Sequence, residues 1–401
     1  MDKIEEVLTR GVEKIYPSKE ILEKILRSGK KIKLYNGIDP SGPTLHLGHM
    51  VVLQKLRQFQ ELGHKVILLI GDFTAMIGDP TDKKATRKKL THKEVLENAK
   101  DYKKQVAKIL KFTGENPVEI KFNSQWHSKL SAEDLLSLAS HFTASQMWER
   151  DMFQERLKKG KEVWLHEFLY PLLQAYDSVV MDVDLEIGGN DQTFNMLCGR
   201  TLMKILKRKE KFVLTTKLLA EPGKPKMGKT EGKMIGLNEE PNEIFGKIMS
   251  WPDEMIIPGF TLLTNIPLLK IKEMEKKIKS PKTNPMDFKK KLAFEIVSII
   301  HSKNKAESAQ KEFEKVFQKN LPPSYQVPTY KIKKGEKLSL NKILVESKIV
   351  SSNSEAKRLI KQKAVEIDGK IITDYQLPLH LEDGTIIKIG KKKFLKICKE
   401  I

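Results

Sequence analysis

Cysteine is scarce in this chain: two in 401 residues, Cys198 and Cys398, far apart. So few exclude a disulfide framework and point to a reducing, cytoplasmic setting. Long apolar runs are also missing, and none approaches the ~20 residues of a membrane span. The opening residues Met1-Asp2-Lys3-Ile4-Glu5-Glu6 are charged and helical in pattern, unlike a signal peptide. Acidic residues are in deficit, with 52 Asp plus Glu against 73 Lys plus Arg and a formal charge of +21. That excess raises the expectation of a polyanionic partner, although lysine-rich surfaces also serve solubility and heat adaptation. There is no internal repeat and no low-complexity tract. With 39% hydrophobic and 31% charged residues, the chain has the make-up of a globular protein of two or three domains.

What is present is an alternation of strand and helix patterns. Residues 1 to about 30 read as amphipathic helix, broken at Tyr16-Pro17-Ser18, where Ser18 caps a second helix. Ile32 to Ile38 reads as a strand, and Met50-Val51-Leu53-Leu56-Phe59-Leu62 as a helix. The continuous apolar run Val66 to Ile70 suits a strand buried on both faces. A helix is expected around Glu94 to Leu110, a strand at Val118–Phe122 and a helix from Ser131 to His141. Further strands are expected at Val183–Ile187 and Phe212–Thr215. This alternation predicts an α/β fold with a doubly wound, Rossmann-type parallel sheet. From Glu243 the pattern turns helical and basic, and residues 266–320 hold 14 Lys against 7 acidic residues. Leu321-Pro322-Pro323, Pro328 and Gly335 mark a linker. Residues 337–401 carry 14 basic and 8 acidic residues. They contain a helix pattern from Ser354 to Lys361, then strand, Asp-Gly turn and strand from Ala364 to Lys370.

The stretch from Tyr35 to His49 organises the rest. A strand runs into a Pro- and Gly-rich turn and then a helix, the loop position at which parallel sheets bind ligands. A helix start offers free N–H groups and a positive dipole end to a phosphate. His46 and His49 share one side of the first turn. Gly48 between them leaves room for a flat ring. Together they suit ATP's transferring phosphates. The same two histidines also fit a cap, a packed core pair or half of a metal site, but no Cys or acidic cluster nearby completes a metal sphere.

His46-Leu47-Gly48-His49 resembles the first signature of class I aminoacyl-tRNA synthetases. Lys226-Met227-Gly228-Lys229-Thr230 is similar to the second, with Gly228 and Thr230 in its serine positions. Phe168 to Asp177 (FLYPLLQAYD) and Ile187 to Gln192 (IGGNDQ) are similar to the substrate motifs of bacterial tyrosyl-tRNA synthetases, and the resemblance runs nearly end to end. It implies activation of L-tyrosine with ATP and transfer to tRNA(Tyr). Mg²⁺ would accompany ATP, with no tightly bound cofactor and no protein-held metal. His46, His49, Lys226, Lys229 and Thr230 are the implied catalytic set. Asp39, Gly48, Gly189, Asp191 and Lys229 are implied to bind ATP. Asp79, Tyr170 and Gln174 are implied around the tyrosine ammonium, Gln192 near its carboxylate, and Tyr35 and Asp177 at its hydroxyl. Tyr170, Gln174 and Asp177 share one helical face, and their apolar neighbours Leu169, Leu172, Leu173 and Ala175 argue for burial.

The resemblance also implies an architecture. Residues 1–232 form the catalytic domain, with a dimer-interface insertion around 100–160 that contains Trp126, Phe142, Met147, Trp148 and Phe153. Residues 233–320 form a helical domain that binds the tRNA anticodon, 321–336 a linker, and 337–401 a small α+β module of the alpha-L RNA-binding kind. Lys83 and Arg87 match positions that touch the acceptor end of tRNA, and Lys357, Arg358 and Lys361 lie on the basic helix of the module. A homodimer is expected. Three alternatives remain: solvated basic turns at the lysine-rich stretches, core packing for the insertion's aromatics, and a tryptophan-activating relative. A non-catalytic RNA-binding protein on the same body is a fourth, and intact signatures speak against it.

Overall fold

The computed structural model describes residues 2–79, 90–148, 151–221, 234–281, 283–318, 328–332, 339–347, 349–350, 352–374, 381–390 and 393–399. Lys83, Arg87, Lys226, Lys229, Thr230 and residues 321–327 and 333–336 of the expected linker lie outside them, while residues 329–332 of that stretch form a strand. The chain divides into two compact units, residues 1–240 with 247–306, and residues 241–246 with 307–401.

The first unit is built on a six-stranded sheet: β1 Val12–Tyr16, β2 Lys33–Ile38, β3 Lys65–Ile70, β4 Glu119–Phe122, β5 Leu185–Gly189 and β6 Phe212–Thr216. Their spatial order is β1-β6-β5-β2-β3-β4. Every pairing is parallel except β1 with β6. Val66 to Ile70 and all of β6 are buried, as both-face coverage of a parallel sheet requires. The expected helix over residues 1–30 is corrected here. Its first part is a helix at Lys3–Thr9, but residues 12–16 pair with β6 as an edge strand. Gly11, at φ +63°, turns the chain between the two. Ser18 does cap the next helix, accepting from the Ile21 N–H. The span Glu94–Leu110 is also two helices and not one, His92–Ala99 and Tyr102–Val106.

Arg10 joins this first segment to the helix Ile256–Leu263. Its guanidinium donates to the carbonyls of Phe260, Thr261, Thr264 and Ile266, satisfying acceptors that a helix end leaves open. Ser131 caps Ala132–Ala139 in a reciprocal box with Asp134.

The second unit contains a five-stranded sheet in the order β7-β11-β10-β8-β9. The strands are β7 Thr329–Ile332, β8 Val365–Ile367, β9 Lys370–Ile371, β10 Ile386–Ile389 and β11 Lys393–Lys399. Asp368 and Gly369 both take positive φ between β8 and β9, the two-residue hairpin that Asp-Gly favours. Helices Leu340–Glu346 and Asn353–Lys361 bury Ile343, Leu344, Ala356 and Ile360 against Val365, Ile387, Leu395 and Ile397. Lys357, Arg358 and Lys361 are exposed on the second of these helices.

Candidate active site

β2 leads to β3 on one side of the sheet and neighbours β5 on the other, so the strand order reverses there. Crevices at the carboxyl ends of strands at such a point are where open α/β sheets bind ligands. A cavity of about 500 Å³ opens there. Its wall includes Tyr35, Asp39, His46, Gly48, His49, Asp79, Tyr170, Gln174, Asp177, Gly189, Asp191 and Gln192. Every expected ATP or tyrosine residue among the described ones is therefore brought to one cavity.

The two histidines form a capping box at the start of the helix Leu47–Glu61. The Gly48 N–H donates to His46 Nδ1 at 3.1 Å, and the His46 N–H donates to His49 Nδ1 at 3.2 Å. In a neutral imidazole whose Nδ1 accepts, Nε2 carries the proton. The rings stand 4.0 Å apart between centroids. Capping and phosphate handling are thus compatible: one nitrogen orients each ring and the other is a donor. Lys217 is the one lysine among the described wall residues.

At the opposite end the helix Leu169–Met181 presents Tyr170, Gln174 and Asp177 to the cavity. Asp177 is 2% exposed and gathers three donors. Trp126 Nε1 and His127 Nε2 reach its Oδ1 at 2.8 and 2.7 Å, and Asn123 Nδ2 reaches Oδ2 at 3.3 Å. Oδ2, with one long contact, retains capacity for a further donor. Burial raises the Asp177 pKa, and the bonds from His127, Trp126 and Asn123 oppose that rise. Tyr35, fully buried on β2, contacts Ser178 Oγ at 2.9 Å through its hydroxyl. The Tyr170 hydroxyl donates to Asp39 Oδ2 at 2.9 Å, and Thr74 Oγ1 donates to Asp39 Oδ1 at 2.7 Å. Burial, reinforced by Asp79 and Asp177, raises the Asp39 carboxyl from an ordinary 3.8 to about 7. Gln174 Nε2 donates to Glu186 Oε1 at 3.0 Å, and Gln192 Nε2 donates to Asp79 Oδ2 at 2.6 Å. Gly189 meets a close approach: a Cβ there would lie 2.5 Å from Asp191 Oδ1 and 3.0 Å from Leu218.

Sequence reasoning missed Asn123, His127 and Glu186, and it placed Trp126 in the dimer-interface insertion. Trp126 turns its indole N–H onto Asp177. The signal was there in part, because Asn123 to His127 follows directly on β4, whose carboxyl end borders the cavity. Of the insertion's other aromatics and methionine, Met147 and Phe153 are buried, and Phe142 packs against a core cluster with Leu138 and Leu172. Trp148 is 38% exposed, and in or just after the insertion Leu136, Trp164 and Leu165 are strongly exposed. Among the described residues, no three His, Cys, Asp or Glu side chains are placed to hold a metal ion, and no helix is long and apolar enough to cross a membrane.

Comparison with known proteins places the chain in a family. The family model described as tRNA synthetases class I (W and Y) matches residues 27–318. The model of the tyrosine–tRNA ligase SYY-like C-terminal domain matches residues 319–397. The tyrosine–tRNA ligase of Carboxydothermus hydrogenoformans is 46% identical over 98% of this chain and 97% of its own length. That of Thermotoga maritima is 44% identical over 98% and 96%. Among solved structures, a C-terminally truncated mitochondrial tyrosyl-tRNA synthetase of Coccidioides posadasii superposes with a TM-score of 0.63 at 25% identity. It covers 78% of this chain and 92% of that one. The tyrosyl-tRNA synthetase of Archaeoglobus fulgidus, at 23% identity and a TM-score of 0.60 over 77% of this chain and 100% of that one, shares the fold. By its family match, its near-full-length relatives and its fold, the chain belongs to the class I tRNA synthetases of the tryptophan and tyrosine group.

Proposed function

We propose that the chain is a tyrosine–tRNA ligase. The tyrosine carboxylate attacks the α-phosphate of ATP, pyrophosphate leaves, and the tyrosyl group of the adenylate passes to the 3′ end of tRNA(Tyr) with release of AMP. ATP enters as its Mg²⁺ complex. The observation that carries this reading is a pair of buried groups lining the cavity: the Asp177 carboxylate and the Tyr35 hydroxyl. An apolar amino acid would leave the remaining acceptor capacity of Asp177 Oδ2 and the second hydrogen-bonding site of the Tyr35 hydroxyl unused in a buried pocket, whereas a phenol fills both.

We assign the residues the roles that the family resemblance implies. Tyr170 and Gln174 face the ammonium, with Asp79 beside them, and Gln192 lies toward the carboxylate. His46 and His49 donate to the phosphates at the helix start, Gly48 and Gly189 let the nucleotide approach the backbone, and Asp191 and Asp39 border the adenosine. Lys226, Lys229 and Thr230, which lie outside the described residues, are assigned to the phosphates by their motif. On this reading, residues 1–232 are catalytic, 233–320 meet the anticodon arm, and 337–401 follow a linker at 321–336 and hold RNA with Lys357, Arg358 and Lys361, while Lys83 and Arg87 meet the acceptor end. The cytoplasmic enzyme works as a homodimer, for which exposed Leu136, Trp148, Trp164 and Leu165 supply apolar surface.

ATP–pyrophosphate exchange with each amino acid in turn tests the reading. Exchange with tyrosine and not with tryptophan or phenylalanine is expected. Exchange with tryptophan, or with none, overturns it.

A further inference from the structure

Beneath the amino-acid end of the cavity lies an ion pair to which the proposed function assigns no role. Lys211 immediately precedes β6, and Glu186 lies on β5. Their side chains are 0% and 3% exposed and in direct contact through Nζ and Oε2. Lys211 Nζ also donates to Ser178 Oγ at 2.8 Å. Burial lowers the Lys211 pKa, and Glu186 opposes that shift. The space is built for an ammonium. A Cβ at Gly199 would overlap Nζ and lie 2.9 Å from Ser178 Oγ, so any other residue there would displace the lysine.

A buried pair of this kind needs a reason beyond stability, because well-packed apolar residues are often as stabilising or more so. Its neighbours supply one. A carboxylate only accepts hydrogen bonds, so Glu186 Oε1 turns the NH₂ of Gln174 toward itself. The Gln174 carbonyl Oε1 is thereby left buried, without a partner among the described residues, on a side chain that lines the cavity. An ammonium only donates, so Lys211 occupies a lone pair of Ser178, and the serine hydrogen must go elsewhere. The Tyr35 oxygen lies at 2.9 Å and Glu186 Oε2 at 3.5 Å, so the shorter path is to Tyr35. Tyr35 then accepts from Ser178, and its own hydrogen remains to be donated.

We infer that Lys211 and Glu186, acting through Ser178 and Gln174, are positioning residues that fix the direction of the hydrogen bonds in the amino-acid pocket. The series runs Lys211 to Ser178 to Tyr35 to the substrate's phenol oxygen, and the phenol's own hydrogen goes to Asp177. Reversing the series would leave Tyr35 and Asp177 competing as acceptors for a single hydrogen. At the other end, Gln174 Oε1 is held as an acceptor for the ammonium. This inference rests on the tyrosine reading of the pocket.

The test compares kcat/KM for tyrosine and for phenylalanine in ATP–pyrophosphate exchange, with thermal melting as the control for folding. Ser178→Ala removes the relay but keeps the ion pair. It should lower the tyrosine-to-phenylalanine ratio about tenfold, the value of one well-placed hydrogen bond, with KM for ATP unchanged. Lys211→Met combined with Glu186→Gln removes both charges together and leaves no lone buried ion. It should lower the same ratio and also raise KM for both amino acids, because Gln174 is no longer oriented. A folded Ser178→Ala enzyme with the parent's ratio overturns the inference, whatever the double variant does. A parent that fails to exchange with tyrosine overturns the underlying reading, and this extension with it. A parent that exchanges while its ratio stays unmoved in Ser178→Ala overturns the extension alone.

Discussion

Asp177→Asn probes the hydroxyl site with the least change of shape. The new amide has one oxygen and one NH₂ to place. With the NH₂ at the Oδ1 position it would face Trp126 Nε1 and His127 Nε2, two donors now at 2.8 and 2.7 Å. With the NH₂ at Oδ2 it meets only Asn123, at 3.3 Å, and the incoming substrate. The second arrangement is favoured, so the substrate's phenol finds a donor where it needs an acceptor. What is lost is a hydrogen bond to a charged group, worth ~1.5–3 kcal/mol, or between about 10- and 150-fold in kcat/KM for tyrosine. Phenylalanine never made that bond, and a neutral amide is cheaper to leave unpaired than a carboxylate. Its kcat/KM should hold or rise slightly. Pyrophosphate exchange with each amino acid gives the ratio, and a thermal melt shows whether the variant is folded. A folded variant whose ratio equals the parent's would refute the assignment of Asp177 to the phenol.

Three further outcomes are expected. Asp39, held at about 7 against an ordinary 3.8, binds its proton more tightly folded than unfolded, so its contribution to stability falls as pH rises from about 4 to about 7 and is flat above. The full swing is about 4 kcal/mol, and melting of Asp39→Asn beside the parent from pH 4 to 8 should show the two curves converging toward acid; parallel curves would count against it. Lys229→Ala should slow adenylate formation by orders of magnitude with little change in tyrosine affinity, the mark of an interaction made in the transition state; an unchanged stopped-flow rate removes the residue from the phosphate site. Substituting exposed Lys357, Arg358 and Lys361 together by alanine should flatten the salt dependence of tRNA binding by about one unit of slope for each phosphate no longer neutralised, without changing pyrophosphate exchange; an unaltered slope takes that helix off the RNA.

Much of the site was legible because its residues sit in short runs with their own local logic. The strand, turn and helix around residues 35–49 announce a ligand loop by pattern alone, and the spacing of 170, 174 and 177 puts three polar groups on one helical face. What escaped were residues whose meaning depends on pairing across the sheet. Glu186 reads as an unremarkable acid on a strand until β5 is set beside β6 and Lys211. Trp126 and His127 look like ordinary aromatics until β4 delivers them against Asp177. The strand at residues 12–16 was hidden for a similar reason. Its sequence, Val-Glu-Lys-Ile-Tyr, has mixed propensity, and only the open edge of β6 makes it a strand.

Charge around the cavity is arranged so that substrate polarity itself aligns the reaction. On the proposed reading the amino-acid end holds Asp79, Asp177 and Glu186, answered by the buried cation Lys211. The other side has the start of the helix Leu47–Glu61 with its two histidines, and Lys217. Tyrosine carries an ammonium and a carboxylate on the same carbon. The acidic end draws the ammonium in and repels the carboxylate, which is left facing the side where helix dipole and basic groups favour the triphosphate. No covalent enzyme intermediate is required, only the holding of two oppositely charged ends in line.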